Sequence, residues 1–344
     1  MAKIRETALA VTIHSVALKA GVSTATVSRV LQGSAPASDR TRARVIAAAR
    51  ELRYQPPDRS RSSLPALHGT HGLVLADLTG SYYSELVLGH QSAVAELGQS
   101  LVLIAFRRRP DATEAVRDLA KRVDGMVMGA NTVPDSVAHS LSRTLPVVLL
   151  GRADVAGCES VRAENVKSAA LLTSHLIEHG RSHLVFVGDP DSSPDVAERY
   201  AGFRAAHVAA DIAIRRPPLH VPLIEGAGVQ VAEEILRRRV KLDGLVCAND
   251  ELALAIIRRL QDNGVRVPDD LAVVGWDDVP AARYISPGLT TVRQPVRDLA
   301  RLAATTLHAR VVGKQPVGGA QVLPSQVILR SSCGCVPLSP PTRV

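Results

Sequence analysis

The sequence predicts a small all-α helix-turn-helix head joined to an α/β core of two doubly wound parallel-sheet lobes. Three observations carry that reading: a two-helix pattern at 12–32, an abrupt change of composition at 55–71, and alternating apolar runs and helical stretches from Gly72 onward. In TIHSVALKAGVSTATVSRVLQ, Thr12 can cap a first helix whose Ile13, Val16, Ala17 and Ala20 fall at helical spacing. Gly21 supplies the backbone freedom for a tight turn, and Val22 plugs the space between the helices. Ser23 caps a second helix that turns Val27, Val30 and Leu31 inward. Thr24, Ala25, Ser28 and Arg29 are left facing out, where a recognition helix meets base edges and phosphates. On pattern alone the alternative is a two-helix corner of some other all-α domain. A third helix from about Ser38 to Leu52, with Val45, Ile46, Ala49 and Leu52 inward, completes a three-helix head.

Charge follows the same division. Residues 1–64 hold eleven Lys and Arg against four Asp and Glu, a net +7, whereas the whole chain of 344 residues carries +8. A basic excess confined to the segment with the two-helix pattern is the electrostatic footprint of phosphate binding. The stretch QPPDRSRSSLPALHGTH at 55–71, rich in Pro, Ser, Arg and His, reads as a linker.

The remaining composition is that of an ordinary globular protein. Cys158, Cys247, Cys333 and Cys335 are too scattered for a disulfide framework, so a reducing compartment is expected. Cys333-Gly334-Cys335 lacks the partners of a zinc signature and reads as a surface dithiol. No apolar run approaches the roughly 18 residues of a membrane span, and the N-terminus lacks a signal peptide's apolar core. A cytoplasmic protein with no membrane partner is expected, at the nucleoid when bound to DNA.

From Gly72 the apolar runs at 72–77, 100–106, 125–130, 146–151, 183–189, 244–250 and 271–278 are continuous rather than alternating. That is the pattern of parallel strands covered on both faces. Helical stretches at 83–97, 111–122, 165–179, 196–210, 227–238 and 251–263 separate them, with an extra strand near 219–223. The units are too many for one small sheet. The expected division is a head at 1–54, a linker at 55–71, a core at 72–335 and a tail at 336–344. Within the core, an N-lobe takes 72–162 plus 293–322, and a C-lobe takes 163–292 plus 323–335.

Ligands of open parallel sheets bind outside the strands' carboxyl ends. Asp77, Arg107, Asn131, Asp189, Asn249, Asp250, Asp277 and Asp278 fall at those ends. The chain has nine aromatic residues, and four of them, Tyr82, Tyr83, Phe106 and Trp276, lie at or just after strand ends. Flat apolar faces beside carboxylates and amides suit a polyhydroxylated ligand. Core or rim packing is the alternative for each aromatic.

Enzyme chemistry finds no foothold. Gly226-Ala227-Gly228 faintly resembles a dinucleotide loop, but Val231 stands where the third glycine belongs, and a plain loop is the reading. His175, His179 and His183 recur every four residues, yet Gly180 ends the helix before His183, so they are read as structural histidines and no metal is expected. G-x-S-x-G, GxxxxGK[ST] and H-E-x-x-H are absent, and no cofactor is expected.

Several blocks together resemble one known family. They are AGVSTATVSRVL, Tyr54-Gln55-Pro56, Val123-Asp124-Gly125, HLIEHG at 175–180, RYAGF at 199–203, Ala248-Asn249-Asp250, VPDDLAVVGWDDVPAARYISPGLTTVRQP at 267–295 and Arg330-Ser331-Ser332-Cys333. The chain is similar along nearly its whole length to the lactose-repressor/galactose-repressor (LacI/GalR) family of bacterial transcription regulators. The resemblance implies a periplasmic-binding-protein-like effector core, a homodimer and an operator with two half-sites. It places Thr24, Ala25 and Arg29 at base-reading positions, and Ser23, Thr26 and Ser28, in the helix-turn-helix that Thr12 opens, at phosphate or sugar positions. In the cleft it places Arg199, Asn249 and Asp277 at effector-bonding positions, with Tyr82 and Tyr83 as the aromatic pair; Asp77, Phe106 and Trp276 join them from the strand-end reading. The C-terminal CGCVPLSPPTRV excludes a leucine heptad, so the dimer is expected to stop there.

Departures from the family are Ser15 for the usual Asp, and Gly80-Ser81 for Asn-Pro before the aromatic pair. In the hinge, Pro57, Ser60, Arg61 and Ser63 replace the usual residues. Leu64, the candidate minor-groove wedge, stands one place late and before Pro65. The expected function is sequence-specific regulation of transcription, as a repressor responding to a sugar bound between the lobes. A sugar-binding transport component, or an α/β enzyme with a DNA-binding head, are the rivals from other classes.

Overall fold

The computed structural model describes residues 12–32, 38–52, 54, 68–106, 111–238, 241–313 and 319–335. The chain divides into two compact units, Met1–Ala66 and Leu67–Val344. In the first, α1 (Ile13–Ala20), α2 (Thr24–Gln32) and α3 (Asp39–Glu51) enclose a core of Val16, Ala17, Ala20, Val27, Val30, Val45, Ala48 and Ala49. Ile46, expected inward, is 38% exposed: the buried stripe of α3 runs 45, 48, 49 and 52, and Ile46 lies about 100° of helix rotation from Val45.

The second unit holds two lobes. The N-lobe sheet is wholly parallel, in the order β10-β5-β4-β3-β1-β2. Its strands are β1 (Thr70–Leu75), β2 (Ser100–Ala105), β3 (Gly125–Gly129), β4 (Val147–Leu150), β5 (Glu159–Ala163) and β10 (Ala320–Leu323). Leu73, Leu75, Val127 and Val148 face α11 (Val296–Val311) and α4 (Gly80–Glu96). Val74, Met126, Met128 and Leu149 face α5 (Ala112–Ala120) and α6 (Asp135–Ser142). Both faces are covered, which is why those runs carry no polar alternation.

The C-lobe sheet, β6 (Leu184–Val187), β7 (Gly244–Cys247) and β8 (Ala272–Val274), is parallel in that order. It is flanked by α7 (Val166–Glu178), α8 (Pro194–Ala209), α9 (Glu225–Arg238) and α10 (Asp250–Gln261). An antiparallel pair, β9 (Thr291–Arg293) with β11 (Gln326–Ile328), carries the returning chain. The chain thus passes between lobes after β5, after β9 and after β10.

Two local expectations are corrected. Around 219–223 there is no strand, only a single bridge from Leu219 to Val187, because Pro217, Pro218 and Pro222 remove the donors a ladder needs. Gly226–Gly228 is no loop but the first turn of α9, and a Cβ on Gly228 would meet the Leu252 carbonyl oxygen at 2.7 Å. Gly202 is tighter still. A Cβ there would strike Val166 O, with Ala169 Cβ at 2.7 Å and the Ala170 nitrogen at 2.9 Å. Backbone atoms cannot turn aside, so Gly202→Ala is expected to destabilise the core by about 2–3 kcal/mol through overpacking of α7 on α8. Urea unfolding checks it, and a midpoint equal to wild type would contradict it.

Candidate functional site

The head presents one candidate surface. Thr12 opens α1 with its backbone N–H 3.4 Å from Ser15 Oγ. Gly21 closes α1 at φ +60, and the Arg44 guanidinium donates to the Ala20 and Gly21 carbonyls, fastening the turn to α3. Ser23 Oγ accepts from Thr26 N–H at 3.2 Å and so caps α2. Thr24, Thr26 and Ser28 are half-buried and Arg29 is exposed. The Ala25 side chain and residues 55–67 of the expected linker, Leu64 among them, lie outside the described residues, as does Arg107, while Thr70 and His71, expected in the linker, already belong to β1.

The core presents the other. A cavity of about 340 Å³ opens between the carboxyl ends of β1, β3 and β4 and the facing ends of the C-lobe strands. Asp77, Tyr82, Tyr83, Arg199, Asn249 and Asp277 all line it. Tyr82 and Tyr83 come from the first turn of α4, their rings edge to face with centroids 5.3 Å apart. Burial raises the pKa of both phenols, which stay neutral donors.

Arg199 is held from three sides. Its Nε donates to Asn165 Oδ1 at 3.0 Å, a terminal nitrogen donates to the Ala248 carbonyl at 2.7 Å, and its guanidinium lies 4.7 Å above the Trp276 ring. Asp277 adopts φ +114 after β8, and its Oδ1 accepts from Gln294 Nε2 at 2.6 Å. Burial lifts its carboxyl to about 6, against the opposing pull of Arg199 and the Gln294 hydrogen bond.

Two expectations fail here. Phe106, 3% exposed, packs in the N-lobe core behind the sheet and does not line the cavity, because its side chain follows the α5–α6 face. Trp276, 2% exposed, lies beneath the cavity floor in the C-lobe core and reaches the site only through the stacked Arg199. Asn249 lines the cavity with a structural duty: Oδ1 accepts from Leu252 N–H at 3.1 Å as the cap of α10, and Nδ2 donates to Leu223 O at 3.2 Å. Asp250 and Asp278 turn inward, the first to Val279 N–H and Thr291, the second to Arg293 and Arg330. Asp189 pairs with His220.

The cavity also holds Asn131, one of the strand-end residues, and three residues that sequence reading passed over: Asp195, Glu251 and Gln294. Asp195 stands four residues before Arg199 on α8, a one-face spacing that could have revealed it. Asn131 Nδ2 donates to Ser192 O at 2.8 Å, joining the N-lobe to the C-lobe at the cavity rim. Among the described residues, four carboxylates (Asp77, Asp195, Glu251, Asp277) face the single guanidinium of Arg199 in this cavity. Burial raises Asp195 and Glu251 as well. Such a site repels polyanions and offers paired donors and acceptors to hydroxyls.

Two histidines and two cysteines set aside in the sequence meet elsewhere in the C-lobe. Cys333 is fully buried, so the surface-dithiol expectation fails, and its thiol and that of Cys335 face His175 and His179.

Residues 12–57 match the family model for bacterial regulatory proteins, lacI family, and residues 173–333 match that for a periplasmic binding protein-like domain. The HTH-type transcriptional regulator GalR of Salmonella typhimurium is 30% identical over 315 residues, 89% of this chain and 90% of its own. The HTH-type transcriptional repressor PurR of Vibrio parahaemolyticus is 29% identical over 337 residues, covering 93% of this chain and 98% of its own. Among solved structures, the transcriptional regulator CelR in complex with cellobiose is similar at a TM-score of 0.70 and 29% identity, with 94% and 99% of the two chains covered.

Proposed function

Because the chain belongs to the lacI family of bacterial regulatory proteins and is a DNA-binding transcriptional regulator, we propose that it is a repressor controlled by a neutral sugar held in the interlobe cavity. One observation carries the ligand class: Arg199 and four carboxylates converge beside two neutral tyrosines. Sugar hydroxyls both donate and accept, and a sugar's apolar face stacks on aromatic rings. An apolar ligand would leave those groups unpaired, at about 1–3 kcal/mol each. The likeness to a cellobiose complex points the same way.

The mechanism is a population shift. Ligand favours one angle between the lobes, and Gln294, in the crossover between β9 and α11, holds Asp277 and so ties the site to the hinge of the core. A homodimer on two half-sites reads the operator. Tyr82, Tyr83, Arg199 and Asp277 bind the ligand directly. Asp77 and Asn249 shape the cavity wall. In the head, Thr24, Ala25 and Arg29 read bases, while Ser23, Thr26 and Ser28 hold phosphate or sugar.

A thermal-shift panel of neutral sugars, sugar phosphates and sugar acids tests the ligand class, since a ligand bound only to the folded core raises its melting temperature. A neutral sugar is expected to raise it. A shift produced by the anionic members alone would overturn the proposal. For the head, Arg29→Ala is expected to cost about 1–3 kcal/mol per half-site contact and to relax preference at one base pair of each half-site. Binding to randomised duplexes checks this, and an equal loss on all sequences would make Arg29 a phosphate contact.

A further inference from the structure

We propose that His175, His179, Cys333 and Cys335 form a tetrahedral site for a thiophilic divalent metal of the zinc class, fastening the C-terminal segment to α7. His175 and His179 stand four residues apart at the C-terminal end of α7, so both imidazoles leave the same face, with ring centroids 4.5 Å apart. Gly334, at φ +107, reverses the chain between the two cysteines. Cys335 Sγ lies 3.3 Å from His175 Nε2 and 3.6 Å from His179 Nε2, and Cys333 Sγ lies 3.4 Å from His175 Nε2. The ligand atoms of His175, Cys333 and Cys335 all fall within 4.8 Å of one another, whereas His179 stands outside that group, approaches through Cys335 and completes the set by a side-chain rotation at the exposed end of α7.

Hydrogen bonding alone does not account for that convergence. The Cys335 thiol can donate to one imidazole and accept from the other, and the Cys333 thiol has the Arg330 carbonyl at 3.2 Å, but His175 Nε2 then still faces the Cys333 sulfur at 3.4 Å beyond its one strong bond. Metal geometry does account for it. With zinc–sulfur bonds of about 2.3 Å and zinc–nitrogen bonds of about 2.0–2.1 Å, a tetrahedral nitrogen–sulfur edge is about 3.5 Å. The three measured edges lie within a few tenths of an ångström of that value. Two thiolates and two imidazoles select zinc-class ions over calcium or magnesium.

The surroundings fit as well. The Thr290 hydroxyl lies 3.1 Å from Cys333 Sγ and 3.0 Å from Arg330 O, so its one proton can turn from the carbonyl to a thiolate, as outer-shell partners of metal ligands do. Cys333 is fully buried while His179 is exposed, so the site has a closed inner side and an entry from solvent. Four protein ligands leave no open position, so the role is structural. The opposite end of α7 reaches the cavity only through the Asn165–Arg199 hydrogen bond, ten residues or about 15 Å of helix before His175, so the site stands independently of the ligand proposal.

The test uses full-length protein, reduced and stripped with a chelator, then titrated with cobalt(II) and back-titrated with zinc(II). One cobalt per chain is expected, with the visible bands of tetrahedral cobalt and a near-ultraviolet thiolate-to-cobalt band that zinc abolishes. Cys335→Ser is expected to halve the thiolate band. Because loss of an inner ligand exceeds the roughly 10–100-fold cost of losing an outer-shell partner, Cys335→Ser and the surface variant His179→Ala should each weaken cobalt by more than about 100-fold. Zinc is expected to raise the melting temperature of wild type and not of the Cys335→Ser/His179→Ala double variant. Absence of the thiolate band, or equal cobalt affinity in the double variant, would overturn the proposal.

Discussion

Asp277→Ala is expected to weaken ligand binding in the cavity by at least about 100-fold, because hydrogen bonds to an ionised carboxylate contribute roughly 1.5–3 kcal/mol each. Operator affinity without ligand should stay close to that of wild type, since the head is a separate unit. The pH dependence is specific. Burial lifts the Asp277 carboxyl to about 6, so the acceptor form disappears, and ligand affinity falls, as pH drops below that value. Stability runs the other way. A carboxyl whose folded pKa lies above the unfolded one stabilises at low pH, and that contribution is lost as pH rises through about 6. Asp277→Asn, which keeps the shape, should therefore melt no lower than wild type at pH 8 while binding ligand weakly. Calorimetric titration and melting of the three proteins check this. Undiminished binding by Asp277→Ala would remove Asp277 from the site.

The second large effect lies in the N-lobe core. His71 on β1, His90 on α4 and His308 on α11 cluster there, with ring centroids 5.9 Å apart for His71–His90 and 6.3 Å for His71–His308. Burial, reinforced by the neighbouring imidazole charge, lowers His90 to about 3 and His71 to about 4, with Asp124 opposing the shift at His71. Both are neutral in the folded chain below pH 6.5, where the unfolded chain takes up protons. Stability is thus lost as pH falls from about 6.5 toward the folded values. At pH 4.5 the loss at His90 alone is about 3 kcal/mol on the linkage relation. Buried carboxylates with raised values, Asp277 among them, act in the opposite sense over part of that range. The clean comparison is between proteins: His90→Leu should gain about 3 kcal/mol on wild type between pH 8 and pH 4.5. Denaturant unfolding at the two values measures it, and parallel pH profiles would contradict it.

The sequence made the architecture legible because covered parallel strands leave continuous apolar runs. Where coverage was incomplete the signal vanished: β5, with Glu159 and Arg162 in its five residues, alternates and went unread as a strand. The site was legible where a side chain left the hydrophobic layer at a strand end, as Asp77 and Asp277 do. It was misread where a large aromatic at such an end turned back into the core, as Phe106 and Trp276 do, because a strand's end does not fix which face its last side chain takes. Gln294 and the His175–Cys335 cluster depend on segments far apart in the chain. No local pattern of spacing reports which helix end meets which tail.

The most direct measurement of the central claim is operator binding followed by fluorescence anisotropy, with and without the neutral sugar that raises the melting temperature. Dissociation constants for wild type are expected to differ by tenfold or more between the two conditions, and those for Asp277→Ala to coincide. Equal constants for wild type, at a sugar concentration that saturates the cavity, would contradict control of the head through the cleft.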